Sequence, residues 1–372
     1  MMLAGCSRLR PKLQKQYVYV TAKQTYLRDR VAAVSNRTGT VENGDRLLVL
    51  ERGRRFLRVQ TEKGELGWID EKVVATQEVS GAFDALKQDH ARDSPVASAV
   101  VRDEVYMHLQ PGRDTERLYR LSEGEKLKLL RRATLEKALP PGQKAAAASS
   151  AAVVSGKKGA EKKAAVAEVP AGPPMEDWWL VRDGKGRTGW LLSRMIDVDA
   201  PDSLTRYSEG QRFVGAYLLA KVNDPGAPMD DKEVPEYVTV LSPYKAGLPY
   251  DFDQVRVFTW NVKKHRYETG FRERNIEGYL PLELGMAVDP NAKGPAAGVQ
   301  APTFSYRLLT ADAPPVVPDA TTGAMVPSKT MVKTYRLEGN LVRRVIAPGV
   351  TTPEPAHPQP VAEKKNKGRR RR

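Results

Sequence analysis

The sequence holds a single cysteine, Cys6, among 372 residues, and that scarcity excludes much. No disulfide can form within the chain, and no zinc site can draw on two of its own thiolates. The four histidines, His90, His108, His265 and His357, stand apart with no pair at metal-ligand spacing. No run approaches the ~18 apolar residues of a membrane-crossing helix. Gly-x-Ser-x-Gly, His-Glu-x-x-His and a phosphate-cradling glycine loop are also missing. The expectation is a non-catalytic chain without a cofactor or a metal.

What the chain does have is positive charge, unevenly placed. The formal net charge is +15. Residues 1–16 carry +4, residues 131–174 carry +5 and residues 353–372 carry +5, so the remaining chain is nearly neutral. A basic surplus of this size points to anionic partners, and its confinement to three segments places that attraction outside the patterned regions.

The first of these segments opens Met-Met-Leu-Ala-Gly-Cys. Leu3-Ala4-Gly5-Cys6 resembles the bacterial lipoprotein box, where small residues precede a cysteine that receives a diacylglyceryl group. The resemblance implies lipidation at Cys6 and a bacterial cell-envelope location, on the periplasmic or outer surface. No charged or apolar leader stands before it, so this reading expects the signal peptide to be truncated in this sequence. Residues Ser7–Gln16 would then form a basic tether beside an anionic membrane, the second signal that a lone acyl anchor needs.

From Tyr17 onward the pattern is that of strands. Tyr17–Val20, Leu47–Leu50, Phe56–Val59 and Leu66–Ile69 are short β-rich runs separated by turn signals such as Asn43-Gly44-Asp45. The stretch Phe56–Trp68 then recurs at Trp178–Trp190 without a gap, each copy ending on Gly-Trp. Tyr26-Leu27 and Gly44-Asp45 recur as Tyr106-Met107 and Gly124-Glu125, and Leu47–Leu50 as Leu127–Leu130. The copies differ by 42 residues inserted before Trp178.

This ordered set resembles the bacterial Src-homology-3-like (SH3b) family: an aromatic-aliphatic strand, a Gly-acidic turn, a Trp-x-x-Val strand and a terminal Gly-Trp. The resemblance implies an all-β chain with two small SH3-like β-barrels. Gly67 and Gly189 are expected to let one strand approach another closely. Trp68, Trp179 and Trp190 read as core. Trp178 and Trp179 alternate across a strand, so one of the two should be partly exposed. Trp178, Tyr26 and Tyr106 are the ligand-binding candidates. Family members in the envelope are often cysteine peptidases, a chemistry unavailable to a chain whose only thiol is Cys6.

Between the copies, Glu78–His90 places Phe83 and Leu86 at helical spacing and predicts a short connecting helix ended by Ser94-Pro95. The insertion is rich in Ala, Lys, Gly and Pro, and the tail in Pro, Lys and Arg, so both are expected to be disordered. Arg369, Arg370, Arg371 and Arg372 offer an electrostatic contact to an anionic polymer or lipid, without the aromatics that specific nucleic-acid binding requires.

Residues 203–350 predict about eight strands: Phe213–Val222, Glu236–Leu241, Gln254–Asn261, Arg266–Arg272, Gly278–Leu284, Thr303–Thr310, Met331–Leu337 and Leu341–Ile346. They make an antiparallel sandwich or barrel. Asp251 and Asp253 read as turn caps rather than cation ligands, because the EF-hand spacing is absent. His265 and Glu268 read equally as an acid–base pair or as solvated strand ends. The chain thus divides into a lipobox and tether (1–16), a first barrel (17–77), a helical connector (78–98), a second barrel with the insertion 131–174 (99–198), an antiparallel β-domain (199–350) and a Pro-rich basic tail (351–372).

The functional expectation is an envelope lipoprotein whose barrels bind peptidoglycan peptide or a protein partner, two weak sites on one chain gaining by effective concentration. One alternative is an envelope enzyme or accessory with its site in the C-terminal β-domain. Another is a cytoplasmic nucleic-acid binder acting through the basic segments.

Overall fold

The computed structural model describes residues 15–138, 173–291, 298–346 and 348–358. Cys6, Arg369–Arg372 and residues 139–172 of the insertion lie outside the described residues, whereas residues 131–136, expected to be disordered with the insertion, belong to a strand that pairing with its neighbours extends. Three antiparallel sheets of seven strands each account for most of the chain, and the all-β expectation holds.

The first sheet contains β1 (Tyr17–Val20), β2 (Gln24–Arg28), β3 (Arg37–Glu42), β4 (Arg46–Arg52), β5 (Phe56–Gln60), β6 (Leu66–Asp70) and β7 (Val74–Thr76). A 3₁₀ turn, Glu71–Val73, separates the last two. The strand order is β3-β2-β6-β5-β4-β1-β7. Alternation along the strands sends Val18, Val20, Leu27, Val41, Leu47, Leu57, Val59 and Ile69 into one core.

The second sheet contains β8 (Ala97–Val101), β9 (Val105–His108), β10 (Arg117–Leu121), β11 (Lys126–Glu136), β12 (Met175–Asp183), β13 (Thr188–Leu192) and β14 (Ile196–Val198), again with a 3₁₀ turn, Ser193–Met195, before its last strand. Its order is β10-β9-β13-β12-β11-β8-β14, the order of the first sheet with every label advanced by seven. The sequence repeat is therefore a repeat of strand pairing. At each Gly-Trp the glycine is required for the same reason. A Cβ on Gly67 would lie 2.6 Å from Leu27 Cβ, and one on Gly189 would lie 2.8 Å from the equivalent Met107 Cβ.

Helix α1 (Gln77–Asp89) joins the copies where the Phe83–Leu86 spacing predicts it. The Thr76 hydroxyl accepts from Val79 N at its start, and Phe83 is buried edge-on against Tyr119, with ring centroids 5.4 Å apart.

The third sheet runs in chain order through β15 (Gln211–Asn223), β16 (Glu233–Pro243), β17 (Phe252–Asn261), β18 (Arg266–Val288), β19 (Gln300–Leu309), β20 (Thr330–Glu338) and β21 (Leu341–Val345). Eight strands are expected from the pattern, and seven are found. Arg266–Arg272 and Gly278–Leu284 belong to one 23-residue strand. Instead of turning between them, the chain passes over the ring of Phe252, where only Gly278 fits: a Cβ there would meet Phe252 Cε2 at 2.0 Å. The first half of β18 pairs with β17 and the second half with β19.

By backbone proximity the chain falls into two compact units. One comprises the described parts of Met1–Arg92, Asp103–Glu125 and Arg182–Leu191. The other comprises Asp93–Arg102 and the described parts of Lys126–Val181 and Leu192–Arg372.

Candidate ligand groove

In β2, Leu27 is fully buried, so the flanking Tyr26 and Arg28 face outward. The close approach at Gly67 brings β6 against this strand and pairs Arg28 with Trp68. Phe56 enters from β5, and the β2–β3 loop supplies Arg30, Val31, Ala32 and Ala33. These residues, with Thr25, Asp70 and Val73, line an open groove of about 520 Å³. Tyr26 is 38 % exposed in it, and Phe56 and Trp68 are half-buried.

The loop is clamped at its neck. Asn36 N donates to Asp29 Oδ1 at 2.9 Å and Asn36 Nδ2 to Asp29 Oδ2 at 3.1 Å, while Arg28 Nη1 donates to Ser35 Oγ at 2.8 Å. The Arg37 guanidinium lies over the Tyr26 ring, 3.8 Å from its centroid. Arg28 and Arg30 against Asp70 give the groove lining a positive balance. Flat aromatic faces beside cationic forks suit a ligand with apolar parts and carboxylates.

The Arg–Tyr stack is itself repeated. Arg117 lies over Tyr106, 5.2 Å from the ring centroid, and Arg120 approaches the same ring at 5.4 Å. Both Arg37 and Arg117 follow their tyrosines by eleven residues, so the repeated stack has a signal in the sequence. Asn43 does more than form its turn. Its amide donates to Val20 O, Thr21 O and Leu118 O, and its Oδ1 accepts from Arg120 N at 2.9 Å.

The expectation for Trp178 and Trp179 is overturned. Neither is partly exposed: Trp178 is 2 % and Trp179 7 % accessible, so Trp178 is not placed to meet a surface ligand. The simple alternation rule assumes that one face of the strand meets water. In the unit that holds both residues, β11 and β12 are covered on the second face by the C-terminal segment. Arg132 Nη2 donates to Leu248 O and Tyr250 O, each at 3.0 Å. The Asp177 carboxylate accepts from Thr134 Oγ1 at 2.7 Å and Gly247 N at 3.2 Å. Trp179 lines a cavity of about 340 Å³ here with Arg132, Asp251, Leu280 and Met325. Trp190 is also buried, as expected of core.

The other candidates resolve individually. Asp251 Oδ2 accepts from Leu280 N at 2.9 Å, and its Oδ1 lies 2.9 Å from Arg132 Nε. Asp253 accepts from Gln211 at 2.7 Å, and burial raises its carboxyl above the usual range. Among the described residues, no three His, Cys, Asp or Glu side chains converge as metal ligands would. His265 does not pair with Glu268. Its Nδ1 lies 2.7 Å from Asp224 Oδ2, which also accepts from Trp260 Nε1 at 2.7 Å. Glu268 instead accepts from Asn261 and Lys264, which hold its carboxyl down to about 2.

No family model matches the sequence, and no curated protein matches it. Among solved structures, the chain is similar to an NlpC/P60 family protein from Bacillus cereus ATCC 10987, at 10 % identity and a TM-score of 0.21, over 69 % of this chain and 99 % of that one. It is also similar to NlpC1 from Trichomonas vaginalis, at 9 % identity and a TM-score of 0.16, over 62 % of this chain and 63 % of that one. NlpC2 from Trichomonas vaginalis matches at 8 % identity and a TM-score of 0.15, over 52 % of this chain and 54 % of that one. The chain thus spans between half and two-thirds of the length of the two Trichomonas proteins. Superpositions this loose establish no common fold.

Proposed function

We propose that this chain is a non-catalytic cell-envelope lipoprotein, anchored through Cys6, whose first SH3-like module holds a peptidoglycan peptide or a protein partner in the Tyr26 groove. One observation carries the reading. The repeated tyrosine, partly exposed, stands with Phe56 and Trp68 in an open groove bordered by Arg28 and Arg30. Aromatic anchors beside arginines are the side chains that dominate binding energy at interfaces, and the stem peptides of peptidoglycan carry free carboxylates for the arginines to meet. The common strand order of the two modules supports the SH3b reading. Functional specialisation falls on the first copy, where Phe56 lines the open groove, whereas its counterpart Trp178 in the second copy is buried.

The test is co-sedimentation of the full chain with insoluble peptidoglycan at physiological salt. Wild type is expected to be retained, and Tyr26→Ala or Arg28→Ala to weaken retention about tenfold or more, the size of a single hot-spot loss. If wild type stays in the supernatant, peptidoglycan is discarded as the ligand. Retention unchanged in both variants removes the groove from the proposal. Detergent-phase partitioning that Cys6→Ser fails to abolish removes the lipid anchor.

A further inference from the structure

In the third sheet, the register sets Arg256 of β17 directly opposite Arg272 of β18, and Gln254 opposite Arg274. Like charges opposed across a strand pair repel, so the arrangement calls for an anion. The chain supplies one carboxylate. Glu209 Oε2 lies 2.6 Å from Arg272 Nη2, 3.0 Å from Arg274 Nη2 and 3.2 Å from Arg256 Nη2. The first two contacts are hydrogen bonds, whereas Arg256 Nη2 reaches ion-pair distance without hydrogen-bond geometry.

One carboxylate does not satisfy three guanidiniums. Arg256 Nε and Nη2, Arg272 Nε and Gln254 Nε2 are four buried donors with no hydrogen-bond partner among the described residues. Arg256 is 1 % exposed, and burying a charged donor unbonded is unfavourable. The remaining polar neighbours are already engaged. Arg256 Nη1 donates to Tyr207 O at 2.5 Å, Arg274 Nε to Gln254 Oε1 at 2.9 Å, and Gln211 holds Asp253. Three guanidiniums face Glu209 and, beside Arg274, the Asp253 carboxylate, so the cluster keeps a net positive charge.

Glu209 is also the part of this cluster best able to leave. It sits at the corner of a turn that Gln211 N closes on Ser208 O at 3.0 Å, so the turn does not depend on its side chain. Its side chain is 52 % exposed, and those of Arg274 and Arg272 are 53 % and 28 % exposed, so the cluster opens to solvent.

We propose that Arg256, Arg272 and Arg274 form a binding site for a tetrahedral oxyanion of the phosphate class, and that Glu209 is its built-in competitor. With Glu209 withdrawn, a phosphate dianion meets three guanidiniums and presents oxygens in several directions to the unbonded donors. Planar guanidinium forks pair with it bidentately. A second carboxylate fits less well, since the carboxylate already present leaves four donors unmatched. Withdrawal of the Glu209 side chain, which needs only rotation about its own bonds, admits the ligand.

The experiment is calorimetric titration of the full chain with inorganic phosphate at fixed ionic strength, with acetate as the carboxylate control. Glu209→Gln is expected to bind phosphate about tenfold or more tightly than wild type, as removal of a charged competitor implies. Its thermal midpoint should fall without phosphate and recover with it. Adding Arg274→Ala, an exposed position that spares the core, should reverse the gain. Equal affinity in Glu209→Gln and wild type, equal binding of acetate, or an Arg274→Ala addition without effect would each overturn the site. Should circular dichroism show Glu209→Gln unfolded, wild type is compared with Arg274→Ala alone. A saturable phosphate response that weakens supports the site, and an absent or unchanged response overturns it.

Discussion

Two glycines set the geometry on which both modules depend. At Gly67 a Cβ would meet Leu27 Cβ and Thr38 Oγ1 at 2.6 Å and Arg28 O at 3.1 Å, so no single rotamer change relieves the clash. Gly67→Ala is expected to destabilise the chain by about 1–3 kcal/mol, the range for overpacking a close-packed interior. Because β6 must retreat from β2, it should also widen the groove and weaken ligand retention. Gly64, three residues earlier in the turn between β5 and β6, makes the useful contrast. Nothing lies within 4 Å of its Cβ position, but its φ is +87°. Gly64→Ala should therefore cost only the backbone strain, about 1–2 kcal/mol, and leave binding unchanged. Urea denaturation of the two variants, read beside peptidoglycan co-sedimentation, separates close approach from conformational freedom.

Helix α1 shows at the scale of an element which interactions hold a short connector. Thirteen residues are marginal for a helix in isolation, and the cap at Thr76 is long, 3.5 Å from Val79 N. The stronger tie is Phe83, 1 % exposed and packed on Tyr119 and against the Cβ position of Gly189. Phe83→Ala is expected to cost about 3–5 kcal/mol, as for other buried aromatics. Thr76→Ala should cost about 1 kcal/mol or less. Comparable losses in thermal or urea denaturation would contradict this division. Strand β18 gives the complementary lesson. Its sequence reads as two strands around Asn275 and Gly278, and the structure puts a bulge there with Asn275 at φ 54°, but the ladders to β17 and β19 carry the strand across it. Pairing partners on either side, rather than local propensity, decided that element.

At the scale of the molecule, buried phenols and one hydrogen-bonded carboxylate set the limits of pH stability. Burial pushes Tyr250 and Tyr267 up to about 12, and pushes Tyr217, Tyr279, Tyr306 and Tyr335 up further. An unfolded tyrosine loses its proton near pH 10. Between pH 10 and 12 the unfolded chain therefore binds fewer protons than the folded one, and stability falls as pH rises. Alkaline titration should show cooperative unfolding coincident with tyrosinate absorbance. Gradual ionisation of these phenols without unfolding would contradict it. Glu268 acts at the acid end. Its folded value of about 2 lies below the unfolded one, so its contribution to the β17–β18 hairpin is complete above pH 4.5 and lost as pH falls through about 2.

Much of the fold was legible in the amino-acid order. The β-strand alternation, the connecting helix and the duplication follow from periodicities that the backbone imposes on any chain. The Gly-Trp pairs marked the close approaches because no other residue removes the Cβ. The groove was legible only in part. Tyr26 was named from the repeat, but its assembly with Arg28, Arg30, Phe56 and Trp68 depends on strands that meet only in three dimensions. Trp178 shows the limit most clearly. Period-2 alternation states that Trp178 and Trp179 point to opposite faces, but it does not state what covers each face. The sequence by itself determined the alternation of side chains along each regular run of strand. Tertiary structure alone decided which sides meet water, because long-range contacts such as Arg132 to Leu248 and Tyr250 join residues more than a hundred positions apart. The same reason hides the convergence of Arg256, Arg272 and Arg274 on Glu209, which no local pattern encodes.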